Sequence, residues 1–378
     1  MEIKEGNINS VVGVLPKDWD TIRIGDLAEI VTGSTPSTFD RTNYGDKYLF
    51  VSPADLGKSK WIVSSEKKLS TKGFLNSRKF PQNSILFTCI GSTIGKSGIA
   101  KLELTSNQQI NAVLPNNKYD SEYAYYALQL IAKDIKAQAG EQAVPMVNKS
   151  EFAKFTLPFP KLLEQQAIAE VLSDTDNLIQ ALEKQIVKKR LIKQGMMQDL
   201  LTPKEGWERI KLGEIADFYK GRGLPKSKID DFGKFKCIHY GELFTKYTES
   251  IESVLSRTSW NLSSFYSLEN DVLMPTSDVT PNGLAKASCI NEKDVILGGD
   301  IMVIRCSVKI LNGVFLSYLI RFNKDRILQL VSGSTVYHLY GSDMKTFEVV
   351  FPKIEVQTKA VKILGEISEQ IYRLELKL

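Results

Sequence analysis

Long apolar runs are missing from this chain of 378 residues. No window approaches the roughly 18 uninterrupted apolar residues that span a bilayer. The opening Met1-Glu2-Ile3-Lys4-Glu5-Gly6 is charged where a secretory leader would be apolar. A soluble, cytoplasmic protein is therefore expected. Cysteine and histidine are scarce as well: Cys89, Cys237, Cys289 and Cys306 stand singly with no C-x-x-C pair, and only His239 and His338 exist to join them. That spacing argues against zinc and against a disulfide framework, and without a carboxylate or cysteine pattern beside them both histidines read as structural. Neither sign of charge dominates. The 49 Lys plus Arg against 44 Asp plus Glu leave +5, a slight lean toward polyanionic partners. With 43% hydrophobic and 25% charged residues, disorder is excluded and there is apolar material for two ordinary cores.

Catalytic signatures are also missing. The chain has no N-P-P-[YF] or D-P-P-[YF] adenine-methylation motif, no G-x-G-x-x-G, no G-x-S-x-G elbow and no H-E-x-x-H. The stretch Gly91-Ser92-Thr93-Ile94-Gly95-Lys96-Ser97 is one residue short of a phosphate-binding loop. Three residues between the glycines do not curl successive backbone N–H groups round a phosphate as four do. A non-catalytic chain with no metal and no cofactor of its own is expected.

What is present is a repeat of long period. Residues 19–33, WDTIRIGDLAEIVTG, and 207–221, WERIKLGEIADFYKG, share five identities and six like-for-like exchanges at an offset of 188. Unrelated segments of that length match at about one position, so duplication is the better account. Residues 157–172, LPFPKLLEQQAIAEVL, align with 349–364, VVFPKIEVQTKAVKIL, at an offset of 192. Between these blocks each unit carries short apolar runs punctuated by Gly, Pro, Asn and Ser, such as residues 84–100 and 271–287, which read as buried strands joined by polar loops.

Each unit closes on a change of period. Positions 172, 175, 179, 182, 186, 189, 193, 196 and 200 step alternately by three and four and hold Leu, Thr, Ile, Leu, Ile, Lys, Lys, Met and Leu. The same rule selects Leu364, Ile367, Ile371, Leu374 and Leu378, each 192 residues beyond its counterpart. Two seams in one register predict helices that pair with each other, through Leu172, Ile179, Leu182 and Ile186 against Leu364, Ile367, Ile371 and Leu374. The first, about 40 residues, would extend ~60 Å at 1.5 Å per residue. The expected fold class is α+β: two tandem pseudo-symmetric α/β domains separated by long antiparallel coiled-coil helices. The predicted boundaries are 1–158 for the first domain, 159–203 for the central helix, 204–350 for the second domain and 351–378 for the C-terminal helix. Two heads at a set separation suit a polymer of fixed repeat, and on DNA same-face half-sites lie about 34 Å apart.

These features together resemble the specificity subunit of a type I restriction-modification enzyme. The resemblance rests on LPKDWDTIRIGDLAEIVTGSTPS at 15–37, GSTIGKSGIA at 91–100, SNQQINAVLP at 106–115, and the run from FPKLLEQQAIAEVL at 159–172 to IKQGMMQDLLT at 192–202. It implies two target-recognition domains, each reading one half of a split, asymmetric site in double-stranded DNA, with the paired helices fixing the unread spacer. It further implies two methyltransferase subunits as partners, which carry S-adenosylmethionine, and restriction and translocase subunits, which use ATP and Mg. The chain departs from the family pattern at Pro203-Lys204, where Gly and a basic residue often stand. It departs again at Leu378, the counterpart of Ile186, which leaves about 14 residues of the first helix unmatched.

Candidate DNA contacts fall on loops at matching places. In the first unit they are Ser34, Thr35 and Ser37; Lys58 and Lys60 beside Trp61; and Thr93, Lys96 and Ser97 in the glycine-flanked loop. The second unit offers Lys220, Arg222, Lys226 and Lys228, then Ser277, Thr280, Asn282 and Lys286. Hydroxyls and lysines there suit phosphate contacts, glycine admits close backbone approach, and an arginine matches guanine O6 and N7. Plain turns with solvated side chains are the alternative reading of each. Lys184, Lys188, Lys189, Arg190 and Lys193 make a positive run on the long helix, read as a solvent face or as a face toward spacer DNA or an acidic partner. A duplicated adaptor that binds protein rather than DNA, and an enzyme with unrecognised motifs, are the rival readings.

Overall fold

In the computed structural model, which describes residues 7–10, 13–140, 143–261 and 264–378, the duplication seen in the sequence is a duplication of topology. The chain divides into two compact units, Met1–Ile179 and Gln180–Leu378. The opening Met1 to Gly6 lies outside the described residues.

The first domain is closed by its own ends. Strand Asp20–Arg23 pairs antiparallel with Thr156–Phe159, so the Trp-led block and the Phe-Pro-Lys block, distant in sequence, form one ladder. Its main sheet has the order Ile30–Thr32, Ile110–Val113, Ile85–Thr88, Ser97–Ala100, Trp61–Ile62, antiparallel except for the last pair. The central strands are buried on both faces, which is why they read as continuous apolar runs rather than alternating ones. Phe87 stacks on Phe152 at 5.1 Å within the core. A second sheet runs Tyr44–Gly45, Lys67–Leu69, Tyr48–Val51, Leu104–Ser106, Lys79–Phe80. Helix Ser121–Leu130 packs against the main sheet, and the Asp120 carboxylate caps it by accepting the Tyr123 N–H.

The second domain repeats this plan. Glu208–Lys211 pairs with Glu348–Phe351, and the main sheet runs Ala216–Lys220, Ile301–Cys306, Asp271–Pro275, Ser288–Ile290, Ser250–Ile251, again antiparallel until a parallel last pair. Its second sheet has four strands, Ser256–Thr258, Phe235–Ile238, Ile296–Leu297 and Phe265–Tyr266. Asn312 caps helix Gly313–Phe322 as Asp120 caps its counterpart. The run 271–287 does not become two strands and a simple loop: Pro281 starts a 3-10 turn, Pro281–Ala285, because its fixed φ and missing N–H suit a helical first position.

Two helices follow the domains, Leu162–Leu201 of 40 residues and Ile354–Glu375 of 22. Each is fastened by a fully buried glutamine in the repeated block. Gln165 Oε1 accepts the Asp120 N–H at 3.0 Å and its Nε2 donates to the Pro160 carbonyl at 2.9 Å. Gln357 makes the same pair of bonds, from the Asn312 N–H at 2.9 Å and to the Pro352 carbonyl at 2.8 Å, and also donates to the Ile310 carbonyl at 3.1 Å. Among the described residues no helix is long and apolar enough to cross a membrane.

Candidate nucleic-acid interface

Strand direction decides where the polar loops go. In the first domain Thr32, Thr88, Ser97 and Ile110 end or begin neighbouring strands at one edge of the sheet, so the loops that follow or precede them gather there. Gly33 makes that gathering possible. A Cβ at this position would lie 2.0 Å from the Asn107 carbonyl oxygen, so only glycine lets the two loops touch. The Ser34 N–H donates to the Ser106 carbonyl at 2.9 Å, and its Oγ accepts the Arg78 N–H at 2.9 Å. The Thr35 hydroxyl donates to Gln108 Oε1, and the exposed Ser37 accepts from Asn43 Nδ2 through its carbonyl. Gly91 and Gly95 both take positive φ, closing a hairpin loop in which the Lys96 N–H donates to the Thr93 carbonyl at 3.1 Å. The stem of exposed Lys96 lies over Gly57, beside exposed Lys58. The structure thus brings Ser34, Thr35 and Ser37 to the same edge as Lys58, Thr93 and Lys96.

Lys60 and Ser97 stand apart from this group. Lys60 is 8% exposed, and its ammonium binds the Glu122 carboxylate, the Ser173 hydroxyl at 2.6 Å and the Tyr126 hydroxyl at 3.3 Å. Burial pulls its pKa down, but the bonds to Glu122 and Tyr126 outweigh that and hold it above its ordinary value. Its charge is consumed within the domain, since a buried ammonium is tolerated only when paired. Ser97 is fully buried and accepts from Gln129 Nε2. The basic cluster around Trp61 is therefore not an exposed patch at Lys60. Sequence reading missed Arg78, exposed and donating to the Thr32 carbonyl at 2.8 Å, and also Lys67, Lys68 and Asn107, which line a groove of about 650 Å³ with Thr35. Lys67 and Lys68 share one strand, but Arg78 and Asn107 come from elsewhere in the chain, so no single local pattern marks the group.

The second domain builds the corresponding edge from different residues. Gly221 is forced by the same close approach, here 2.0 Å from the Gly298 carbonyl oxygen. The Gly221 N–H donates to the Ile301 carbonyl at 2.8 Å and the Arg222 N–H to the Leu297 carbonyl at 3.0 Å, fixing the backbone while the Arg222 side chain is exposed. Lys220 meets Asp300 at 3.3 Å with both side chains largely exposed, so the pair contributes little, at most about 1 kcal/mol. Lys226 and Lys228 are exposed on a 3-10 turn, and the Lys228 ammonium lies 5.3 Å from the centre of the Trp260 ring. Half-buried Ser277 pairs with His338 across a short ladder, which puts His338 in a groove wall at this edge rather than in the core. The Thr280 hydroxyl donates to Asp278 Oδ2 at 2.9 Å. Thr280, exposed Asn282 and Lys286 line a groove of about 470 Å³ with Arg321, at the end of the mostly apolar helix Gly313–Phe322, and Lys324, which opens the next helix; sequence reading missed both cations. Lys286 donates to the Phe244 carbonyl at 2.7 Å, and burial, then the charge of Arg321, lower its pKa.

The helix seam is realised in part. In the second unit Ile186 clusters with Ile367, Ile371 and Leu374, and Leu182 is buried. Met196, Met197 and Leu200 pack against the domain core that holds Ala360 and Leu364, while Arg190 binds Glu375 at 2.6 Å, so the two helices run antiparallel. Leu364 joins that core. Leu172 and Ile179, expected in the seam, are 38% and 40% exposed. The C-terminal helix reaches its last helical residue, Glu375, beside Arg190, and the buried face of the long helix before that point carries Gln165 and Ala169, with Ser173 reaching Lys60 and Asp176 reaching Tyr126. Of the positive run, Lys189 donates to Gln370 at 2.7 Å and Lys193 binds Glu249, itself buried and also bound by Arg321 at 2.6 Å, while Lys184 and Lys188 are exposed.

All four cysteines are buried free thiols, and burial raises their pKa values, to about 12 at Cys89 and Cys237. His239 Nδ1 accepts the Gly241 N–H at 3.2 Å, and burial lowers its pKa. Among the described residues no group of three or more His, Cys, Asp or Glu is placed to hold a metal ion.

The family model of the type I restriction modification DNA specificity domain matches twice, at residues 16–189 and 204–377. The chain is 28% identical to the MjaIX specificity subunit of Methanocaldococcus jannaschii, with 98% of this chain and 90% of that one covered. It is 29% identical to the MjaVIII specificity subunit of the same organism over 64% of this chain and 60% of that one. The structure of the type I restriction-modification S subunit from M. genitalium superposes with a TM-score of 0.62 at 18% identity, covering 95% of this chain and 91% of that one, and so shares its fold.

Proposed function

The chain belongs to the type I restriction modification DNA specificity family, and on that premise we propose that each of its two domains reads one half of a split, asymmetric site in double-stranded DNA. The observation that carries the reading is the pair of equivalent loop edges. Gly33 and Gly221 bring loops together in the same way, yet the side chains displayed are Ser34, Thr35, Lys58 and Lys96 in one domain and Lys220, Arg222, Lys226 and Asn282 in the other. A shared scaffold with different outward residues is what two different half-sites require. The exposed lysines neutralise phosphates and set register, while Arg222 has the fork geometry to take guanine O6 and N7.

The antiparallel helices, joined through Ile186, Ile367 and Ile371, set the unread spacer and dock two methyltransferase subunits. The chain does no chemistry itself. S-adenosylmethionine belongs to the methyltransferase partners, and ATP with Mg to restriction and translocase partners. Lys60, Glu122 and Ser173 in one domain and Glu249, Lys193 and Arg321 in the other hold each head to its helix.

Co-expression with a type I methyltransferase subunit from the same host, in a strain lacking adenine methylation, tests the proposal. Mapping modified adenines should return a two-part motif with an unread spacer, absent when the methyltransferase is expressed alone. Co-purification without methylation, or an undivided motif, would refute it.

A further inference from the structure

In each domain a late segment returns to the loop edge in the same register. In the second domain the Leu339 N–H donates to the Thr276 carbonyl at 3.0 Å, and His338 pairs with Ser277. In the first, the Val147 N–H donates to the Cys89 carbonyl at 2.9 Å, and Met146 bridges to Ile90. Met146 to His338 and Val147 to Leu339 are both offsets of 192, and their partners are both offset by 187. The anchors are buried alike, Val147 at 2% and Leu339 at 0% exposed. What faces outward differs in chemistry. The first segment shows Val144 and Met146, 61% and 50% exposed; the second shows half-exposed His338 and 54% exposed Tyr340, their rings 6.0 Å apart and nearly parallel. Those rings flank a groove of about 430 Å³ that Lys220 and Asp300 also line.

We propose that these two returning segments are a further base-reading element of each domain, beside the loops already described. The inference rests on the DNA-reading function proposed above. The buried valine or leucine and the main-chain bonds hold the segment, and the exposed residues supply the discrimination. Val144 and Met146 offer apolar contact to a thymine methyl group, whereas His338 and Tyr340 offer ring and hydroxyl hydrogen bonds to base edges. Val144 and Met146 carry no polar group with which to hold a phosphate, so apolar contact to a base is what they can offer.

The test uses the full chain with its methyltransferase, read as an adenine methylome. The double variant His338→Ala/Tyr340→Ala should relax one or more positions in one half of the motif, by roughly 5- to 150-fold in discrimination as expected for losing a base contact, and leave the other half intact. Val144→Ala/Met146→Ala should relax only the opposite half. His338→Gln and Tyr340→Phe, which keep volume, serve if melting shows that the alanine variant unfolds. An unchanged motif in all variants overturns the inference while the wild-type motif upholds the proposed function; so does a uniform fall in methylation with native melting, the mark of a phosphate contact. A wild-type chain that writes no split motif removes the proposed function, and this assignment with it.

Discussion

Replacing Gln165 or Gln357 probes the device that joins each domain to its helix. Gln165 is fully buried and spans two main-chain groups, the Asp120 N–H at 3.0 Å and the Pro160 carbonyl at 2.9 Å. Gln165→Met keeps most of the volume and loses both bonds. At about 1 kcal/mol net per bond, plus part of the penalty for leaving the buried Pro160 carbonyl unsatisfied, the expected loss is roughly 2–3 kcal/mol. Gln165→Ala adds a cavity at a fully buried position and should cost about 2 kcal/mol or more beyond Met. Gln357 has the same two bonds and a third to the Ile310 carbonyl at 3.1 Å, so Gln357→Met should cost about 1 kcal/mol more than Gln165→Met. For a domain of this size each kcal/mol lowers the melting temperature by roughly 2–4 °C. Urea unfolding with hydrogen exchange resolved by segment would separate the two domains, because each variant should destabilise its own. A loss below about 0.5 kcal/mol for both Met variants, within the range of ordinary surface substitutions, would show that these bonds do not fasten the helices.

Two further outcomes are expected. The Asp40 carboxyl is lowered from 3.8 to about 2, first by the hydrogen bond from Lys72 and then by those from Thr42. A depressed carboxyl adds stability above its unfolded value, lost as pH falls from about 4 through 2; NMR titration should find the low midpoint, and Lys72→Met should return it toward 3.8, whereas no movement would disprove the Lys72 contribution. Inserting one heptad within residues 177–181, all exposed, lengthens the helix by about 10 Å. The methylome should then show a spacer longer by about three base pairs, at roughly 3.4 Å each, with both half-sites unchanged; an unchanged spacer would sink the role given to the helices.

Much of the architecture was legible because it is written in local periodicity. The Trp19 and Trp207 blocks and the two Phe-Pro-Lys blocks mark strands that pair with each other in each domain, and the change to a three-four period marks helices Leu162–Leu201 and Ile354–Glu375. A duplicated chain must also duplicate its fold, since the same patterns bury the same faces. Side-chain fate was less legible. Lys60 reads as a surface cation beside Trp61, but Glu122 and Ser173, 62 and 113 residues away, take it inside. Leu172 and Ile179 fit the seam by spacing, but the face that docks is the one carrying Gln165 and Ala169. His338 bridges Ser332 close by in sequence, but it gains Ser277 only through folding.

The sequence by itself determined two repeated domains, the helices between and after them, and which glycines and polar loops recur, because these depend on hydrophobic period and turn chemistry within a few residues. Only the tertiary structure decided which of those loops share an edge, which lysines remain free to meet a polyanion and which are consumed in buried pairs. Those outcomes depend on contacts between residues far apart in the chain, where burial and charge pairing are set by neighbours that no local pattern names.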